Sequence, residues 1–563
     1  MTHSQPNPTI PTWRFCWELI RFQPGRFLYN CIGFSLMSCS WLIPGLVLQQ
    51  FFNLISGDAP VRFDFWTLMA LLVAGTVARI GGMYGMIKAN IPYTYRAHTL
   101  LHKNMLSRIF ELPGAAALPE STGATIGRFR DDVNELPWFT LWINNLIGFG
   151  LFALVATGVM LSINPLLTVV AFAPLVVIVL AAHAGTRRIE RYRTQTRHAS
   201  SVVTGYIAEI FAAVQAVKVA RAERHVVARF AELNERRRQA ALLDRLFEEL
   251  LESIFVHAGN LGTGIILLLS AQAIGKQGFV VGDFALFVYF LGFFTDFIGF
   301  VGFFWARYKQ AGVSVRRMGD FLQGAPAATL VTHGPIYQDG ELPTLTPPTL
   351  AADDRLFQLT VRNLSYQHPA SGRGIAGVDL TVPEGAFIVV TGRVGSGKTT
   401  LLRALLGLLP GQAGEIRWND RLIASPADFF TPPRCAYTAQ VPRLFSATLV
   451  ENLLLGLPRD AEQLRQAIYA AVFERDLEGL EEGLETLVGP KGVRLSGGQL
   501  QRAAAARMFL RQPELLVFDD ISSALDVDTE RQLWERLFAQ STRPTCLVVS
   551  HRRQVLRRAD RVL

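Results

Sequence analysis

Residues 515–526 read LLVFDDISSALD. An apolar run ending in two adjacent carboxylates describes a buried parallel strand. It delivers Asp519 and Asp520 to the carboxyl end of a sheet, where ligands bind in open α/β folds. A carboxylate there suits a magnesium ion, usually through water. Upstream, TGRVGSGKTT sets four residues between Gly392 and Gly397-Lys398-Thr399. The segment follows the apolar strand FIVV and precedes the helical LLRALLGLL, which is the setting of a P-loop. Gly392, Gly395 and Gly397 let backbone N–H groups, with Ser396, wrap phosphates. Lys398 reaches β- and γ-phosphates, the Thr399 hydroxyl ligates magnesium, and Thr400 lies in the first turn of an anion-favouring helix. ATP and Mg²⁺ are the expected ligands. Two aspartates at a strand end can equally cap a helix, but not with a P-loop in the same chain.

These residues need a sheet to hold them, and from Leu356 onward strands alternate with helices in an α/β pattern. The preceding stretch, QGAPAATLVTHGPIYQDGELPTLTPPTLAADD, is rich in Pro, Gly and Thr and reads as a linker. Before it the chain is apolar. A membrane span needs about 20 apolar residues, and about six candidates fit: 27–55, 64–92, 138–162, 165–185, 249–275 and 283–307. The gaps alternate between short loops and long polar connections. Residues 187–245 carry about a dozen Lys and Arg, so the long connections and both termini are expected to be cytoplasmic. The connections read as helix continuing out of the membrane and returning. TWRFCWELIRF, near the N-terminus, suits an interfacial amphipathic helix. The expected domains are 1–322 (membrane), 323–352 (linker) and 353–563 (nucleotide-binding).

Composition agrees. The chain has 563 residues, 50% of them hydrophobic, and a net charge of +9. Its Arg residues cluster beside apolar spans, which favours a membrane over nucleic acid. Cys16, Cys31, Cys39, Cys435 and Cys546 show neither metal-ligand nor disulfide spacing and read as small buried hydrophobes.

LSGGQ at Leu495, Ser496, Gly497, Gly498 and Gln499, followed by LQRAAAAR, resembles the signature motif of ATP-binding cassette transporters. The rest of the cassette follows in order. Tyr366 matches the adenine-stacking aromatic, Gln440 the Q-loop glutamine that contacts magnesium, Asp526 in SALD the D-loop, and His551 the switch histidine at the γ-phosphate. The resemblance makes Thr399, Gln440 and Asp519 the metal contacts and Asp520, His551 and Gln440 the catalytic group. In the membrane half, STGATIGRFRDDV, with Gly123, Arg128 and Asp132, resembles the first intracellular loop of the exporter class. AEIFAAVQAVKVARAE resembles the second, and VVGDF precedes the last span. The implied fold is an all-α six-helix transmembrane domain fused to an α/β P-loop cassette: a type IV half-transporter, multi-pass in a bacterial inner membrane with its cassette in the cytoplasm. The resemblance implies a dimer in which each signature motif completes the other chain's ATP site, and a short coupling helix in each loop. LVGPKG occupies the X-loop, where members usually carry Glu in place of Pro490. Members also continue beyond the strand entered at RRADRVL, so the native chain is expected to extend past Leu563.

Most members place Glu where this chain has Asp520. Asp is one methylene shorter and falls about 1.5 Å back for the same backbone. A misplacement of that order costs on the order of 100-fold in rate. Short Asp beside an intact signature matches one subunit of the heterodimeric exporters, whose own Walker motifs form a slow site. A conservative swap in a competent homodimer is the alternative. The expected activity is ATP-driven export of a hydrophobic or amphipathic substrate by alternating access. An exporter-fold importer and an ATP-gated regulatory or channel subunit remain alternatives. Membrane lipid and a second half-transporter are the expected partners, and nucleic acid is not. Substrate clues are few. Phe287, Phe290, Phe294, Phe297 and Phe304 form an aromatic stripe, read as helix packing or as a substrate wall. Arg79, His257 and Asp296 lie within spans, and an Arg79–Asp296 pair is conceivable.

Overall fold

The computed structural model describes residues 10–57, 63–114, 122–273, 279–338, 340–344, 349–351, 354–369, 371–490, 492–539 and 543–563. The side chains of 122–124, 174–190 and most of 248–273 are not described, His257 among them. The chain forms two compact units, residues 1–105 with 122–338, and residues 106–121 with 339–563.

The first unit is helical: α1 (Thr12–Phe22), α2 (Pro24–Cys39), α3 (Leu42–Ser56), α4 (Phe65–Glu111), α5 (Thr122–Gly127), α6 (Val133–Ile163), α7 (Pro165–Ala212), α8 (Val214–Val219), α9 (Glu223–Ala273) and α10 (Val281–Phe321). Segments Pro24–Ser56, Phe65–Glu111, Thr125–Ile163 and Val281–Phe321 are long and apolar enough to cross a membrane. The stretches 165–185 and 249–273 continue within α7 and α9; residues 274–275 lie outside the described set. The first span is not one helix but breaks at Ser40–Trp41. Small residues bring α2 and α4 together: a Cβ on Gly82 would stand 3.0 Å from the Gly33 carbonyl oxygen. In α1, Phe15, Cys16 and Leu19 are buried while Trp13 and Trp17 face outward, the division an interfacial helix requires.

Between α5 and α6 the residues RFRDD make a π-helical turn. It buries Asp132, which accepts from the Ser314 hydroxyl at 2.9 Å and pairs with Arg317 at 3.3 Å. The motif residues Arg128 and Asp132 thus lie against the cytoplasmic part of α10. The start of the linker is more ordered than its composition suggests. Leu330 and Val331 are buried. Asn104 donates to the carbonyls of Leu330 and Thr332 at 2.8 and 3.0 Å, Lys103 donates to that of Pro335 at 2.6 Å, and the His333 ring meets the Glu18 carbonyl at 2.9 Å. Backbone groups with no ladder partner are satisfied here by side chains.

In the second unit, an antiparallel sheet of β1 (Gln358–Gln367), β2 (Gly374–Pro383), β4 (Ala413–Trp418) and β5 (Arg421–Leu422) runs in the order β2-β1-β4-β5. A parallel sheet of β3 (Phe387–Val390), β6 (Cys435–Thr438), β9 (Leu515–Asp519), β10 (Thr545–Val549) and β11 (Arg561–Val562) runs β11-β3-β10-β9-β6. A two-stranded ladder pairs β7 (Ala447–Thr448) with β8 (Leu487–Val488). β3, β9 and β10 are buried along their whole length, as the centre of a covered parallel sheet must be. Register pairs Val549 with both Val390 and Asp519. The P-loop and the paired carboxylates therefore leave the same sheet edge.

Candidate nucleotide site

The P-loop turns on three glycines with positive φ: Gly392 at +138°, Gly395 at +84° and Gly397 at +99°. A Cβ on Gly397 would also stand 2.8 Å from Ile375 Cγ2, so both backbone angle and close approach require glycine there. Lys398 opens the helix Lys398–Leu405 and folds its ammonium back onto the carbonyls of Gly392 and Arg393, at 2.9 Å each. The cation is thus held at the mouth of the loop it serves. The Thr399 hydroxyl donates to Asp519 Oδ1 at 3.0 Å. Asp519 is buried, and its other oxygen accepts from the Tyr437 hydroxyl at 3.2 Å. Burial pushes the Tyr437 phenol up to about 12, with the Asp519 charge adding to the shift, so it stays a donor. Tyr437 was not singled out in the sequence. It stands three residues before Gln440, and the period of strand β6 could have found it.

Asp520 adopts a left-handed backbone, φ +59°, which Asp tolerates better than most residues. Gln440 Nε2 reaches its Oδ2 at 3.5 Å, and Gln440's own carbonyl accepts from Gln501 at 2.7 Å. Burial raises the Asp520 carboxyl above its ordinary value, opposed by His551, reinforced by Asp519, and opposed again by the Gln440 hydrogen bond and Lys398. His551, Gln440, Lys398 and the two aspartates therefore converge. Thr399, Asp519 and Gln440 supply the hard oxygen donors that a magnesium ion takes, and the glycine cradle with Lys398 fits a triphosphate.

Tyr366 requires a correction. Its side chain is 7% exposed and belongs to the core with Leu380, Val390 and Leu401, so its ring is closed to a stacking base. The alternation of β1 turns position 366 inward. One strand period later, His368 stands beyond the last strand residue, half-exposed, with its ring edge-on to Tyr366 and Nε2 3.4 Å from the Thr400 hydroxyl. An aromatic beside the P-loop is present, but it is an imidazole two residues on.

The signature and D-loop residues stand at helix starts. Ser496 and Gln499 form a reciprocal capping box on the helix Gly497–Phe509: Gln499 N donates to Ser496 Oγ at 3.3 Å and Ser496 N to Gln499 Oε1 at 2.8 Å. Gln499 and Arg502 both hold Asp476. Gly498 packs beneath Ala524, whose carbonyl oxygen would be 2.9 Å from an added Cβ. Asp526 caps the helix Val527–Phe538 through Thr529 N at 2.9 Å. After β8, Gly489 takes φ +94° and Pro490 follows at the X-loop position.

Two family models match the sequence: the ABC transporter transmembrane region over residues 27–297, and ABC transporter over residues 375–523. The chain is an ABC transporter. Among the relatives of this ABC transporter is an ATP-dependent lipid A-core flippase of Chromohalobacter salexigens, 26% identical over 569 residues, covering 95% of this chain and 90% of the relative. A probable multidrug resistance ABC transporter ATP-binding/permease protein, YheI of Bacillus subtilis, is 28% identical over 460 residues, 78% of this chain and 74% of its own length. The mesentericin-Y105 transport/processing ATP-binding protein MesD of Leuconostoc mesenteroides is 26% identical over 478 residues, 81% of this chain and 61% of its own. This ABC transporter is thus a multi-pass membrane ATPase of the exporter type, with a helical membrane domain and an α/β cassette on the cytoplasmic side.

In the membrane unit, Phe287, Phe290 and Phe294 are buried against Ala153, Met160 and Leu167. That stripe is helix packing, with Phe297 half-buried at its edge. Arg79 stacks on Trp41, its guanidinium carbon 3.6 Å from the ring centroid; it forms no ion pair with Asp296.

Proposed function

We propose that this chain is one half of a heterodimeric exporter that couples ATP binding and hydrolysis to outward movement of a hydrophobic or amphipathic substrate by alternating access. Its domains are 1–322, the linker 323–352, and the cassette 353–563. The observation that carries the reading is a short carboxylate at the position of the catalytic base, in a chain whose signature helix is intact and fully capped. Lys398, Thr399 and the P-loop glycines hold the phosphates of ATP. Asp519, Thr399 and Gln440 hold Mg²⁺, which when bound neutralises developing phosphate charge. Asp520 and His551 face the γ-phosphate, and Asp520, one methylene shorter than the Glu of most members, falls short of the position from which that Glu would orient water. His368 takes the stacking role first given to Tyr366. Leu495–Gln499 completes the partner's faster site, with Asp526 beside it.

The second intracellular loop supports an intersubunit role. Its tip is α8, where Val214 and Val219 are exposed, as is Phe211 at the end of α7, and Lys218 pairs with Glu223 at 3.2 Å. An exposed apolar tip of this kind suits docking onto the second chain's cassette. A coupling helix is expected in the first intracellular loop as well; residues 115–121, just before and at the start of its motif, lie outside the described residues. Expression of the chain alone and together with a second half-transporter tests the reading. The pair is expected to show substrate-stimulated ATPase and vesicle transport. A stable homodimer with full stimulated ATPase would overturn it.

A further inference from the structure

Resting on the transport reading above, one face of α10 bears on substrate class. Tyr289, Phe293, Asp296, Phe300, Phe303 and Arg307 recur at alternating steps of four and three residues and so share one side of the helix. Asp296 and Phe303 are exposed and the others half-buried, whereas Phe287, Phe290 and Phe294 face the core. Trp41 extends the stripe, its ring 5.0 Å from Phe293, and Arg79 covers Trp41 at 3.6 Å. At the cytoplasmic end, Arg307 lies 5.1 Å from the rings of both Trp142 and Phe303 and is ion-paired with Glu135 at 3.3 Å.

Arg307 is therefore neutralised, while no ion pair among the described residues engages Arg79 or Asp296. Each lies about 20 Å of helix from the start of its element, Phe65 and Val281. Both are thus at membrane depth, and both are exposed. A charge there is strongly disfavoured against hydrocarbon and marks a water-filled pathway or a charged ligand. The two charges are of opposite sign. Asp296 is about 4.5 Å along the axis from Phe293, the level at which Trp41 presents Arg79. A purely anionic ligand meets Asp296 repulsively, and a purely cationic one meets Arg79. A hydrophobic helix laid over the face would bury both charges without compensation.

We propose that this stripe recognises a zwitterionic amphiphile. Its anionic group lies at Arg79, its ammonium at Asp296, and its apolar body along Phe293, Phe300 and Phe303. An ethanolamine phospholipid headgroup carries one charge of each sign beside an apolar body.

The test uses the intact transporter with its partner in a non-ionic detergent. Lysophosphatidylethanolamine, lysophosphatidylglycerol and hexadecylammonium are compared by the concentration that half-stimulates ATPase, each variant normalised to its own basal rate. The zwitterionic probe is expected to act at the lowest concentration. Arg79→Gln and Asp296→Asn should each raise its half-stimulating concentration about tenfold, the loss of one charge-assisted contact. Arg79→Lys and Asp296→Glu should restore most of it and show that folding is intact. The proposal is overturned if the zwitterionic probe does not stimulate, if either neutral variant shifts it less than about threefold, or if a singly charged probe is preferred. A shift under threefold in both neutral variants would mean that the second chain covers the face. Loss of nucleotide retention at this chain's own site on Lys398→Ala is the separate control: its failure would sink the nucleotide-site reading, whatever the amphiphiles do.

Discussion

The cassette presents two edges to ATP, and they are not equally finished. At the signature edge every local requirement is met. Ser496 and Gln499 cap each other across the helix start, Asp476 anchors Gln499 and Arg502, and Gly498 fits beneath Ala524. At the Walker edge the phosphate cradle is complete, but the base is short, left-handed in backbone and reached by Gln440 only at 3.5 Å. On the proposed reading, holding nucleotide and turning it over are separable properties of one chain: the first rests on backbone shape and Lys398, the second on the reach of one carboxylate.

The largest effect expected is on holding. Lys398→Ala removes the cation at the loop mouth and should abolish nucleotide retention at this site, read by trapping of labelled nucleotide in the purified pair. Retention within a factor of about two of wild type would remove the P-loop from the account. Next, the two edges should respond unequally in total ATPase. Gly498→Asp forces a side chain toward the Ala524 carbonyl and disables the site this chain completes for its partner, so most ATPase should disappear. Asp520→Asn should leave at least half. Equal losses from the two variants would erase the asymmetry.

A third comparison separates core from ligand contact. Tyr366→Ala empties a buried ring position and should cost about 3 kcal/mol of stability, read as a lowered melting temperature. His368→Ala should leave the melting temperature near wild type and weaken nucleotide affinity several-fold. The reverse pattern would return the stacking role to Tyr366.

This pair also shows what was legible in the sequence. Motifs whose chemistry depends on backbone shape, such as Gly392–Thr400 and Leu495–Gln499, were readable because the glycines and caps are themselves the signal. A lone aromatic is different. Tyr366 and His368 are one strand period apart, and only the packing of β1 on Leu380 and Val390 shows which of them is inside. The Phe-rich α10 was legible on one side only. The visible Phe spacing traced the buried side, while the exposed side mixes Tyr, Phe, Asp and Arg and has no compositional signature. The linker looked loose because its partners, Lys103, Asn104 and His333, act on carbonyls that no pattern reveals.

A smaller effect is expected from pH. Burial raises the Asp520 carboxyl, and a base must be ionised to accept a proton. With the folded value above that of an ordinary aspartate, the working form is present at neutral pH and lost as pH falls through the raised value. In a pair whose other site has been disabled, the residual ATPase should therefore decline on acidification at a higher pH than an unperturbed aspartate would give. Residual activity flat down to pH about 4 would exclude Asp520 as its base.

The smallest effect is expected from lengthening that base. Asp520→Glu advances the carboxylate by one methylene at unchanged charge, and if reach alone limits turnover the slow site should become fast. Two features restrain the gain. Position 520 has φ +59°, a region that Asp enters through local hydrogen bonding and that Glu enters at a cost of about 1 kcal/mol. On the proposed reading the site also closes only against the second chain's signature. Total ATPase should therefore rise less than about threefold, a barrier change of under 1 kcal/mol. A tenfold rise would show that one methylene was the whole difference between the two sites. No rise at all, with nucleotide retention unchanged, would place the limit in the closing contact rather than in Asp520.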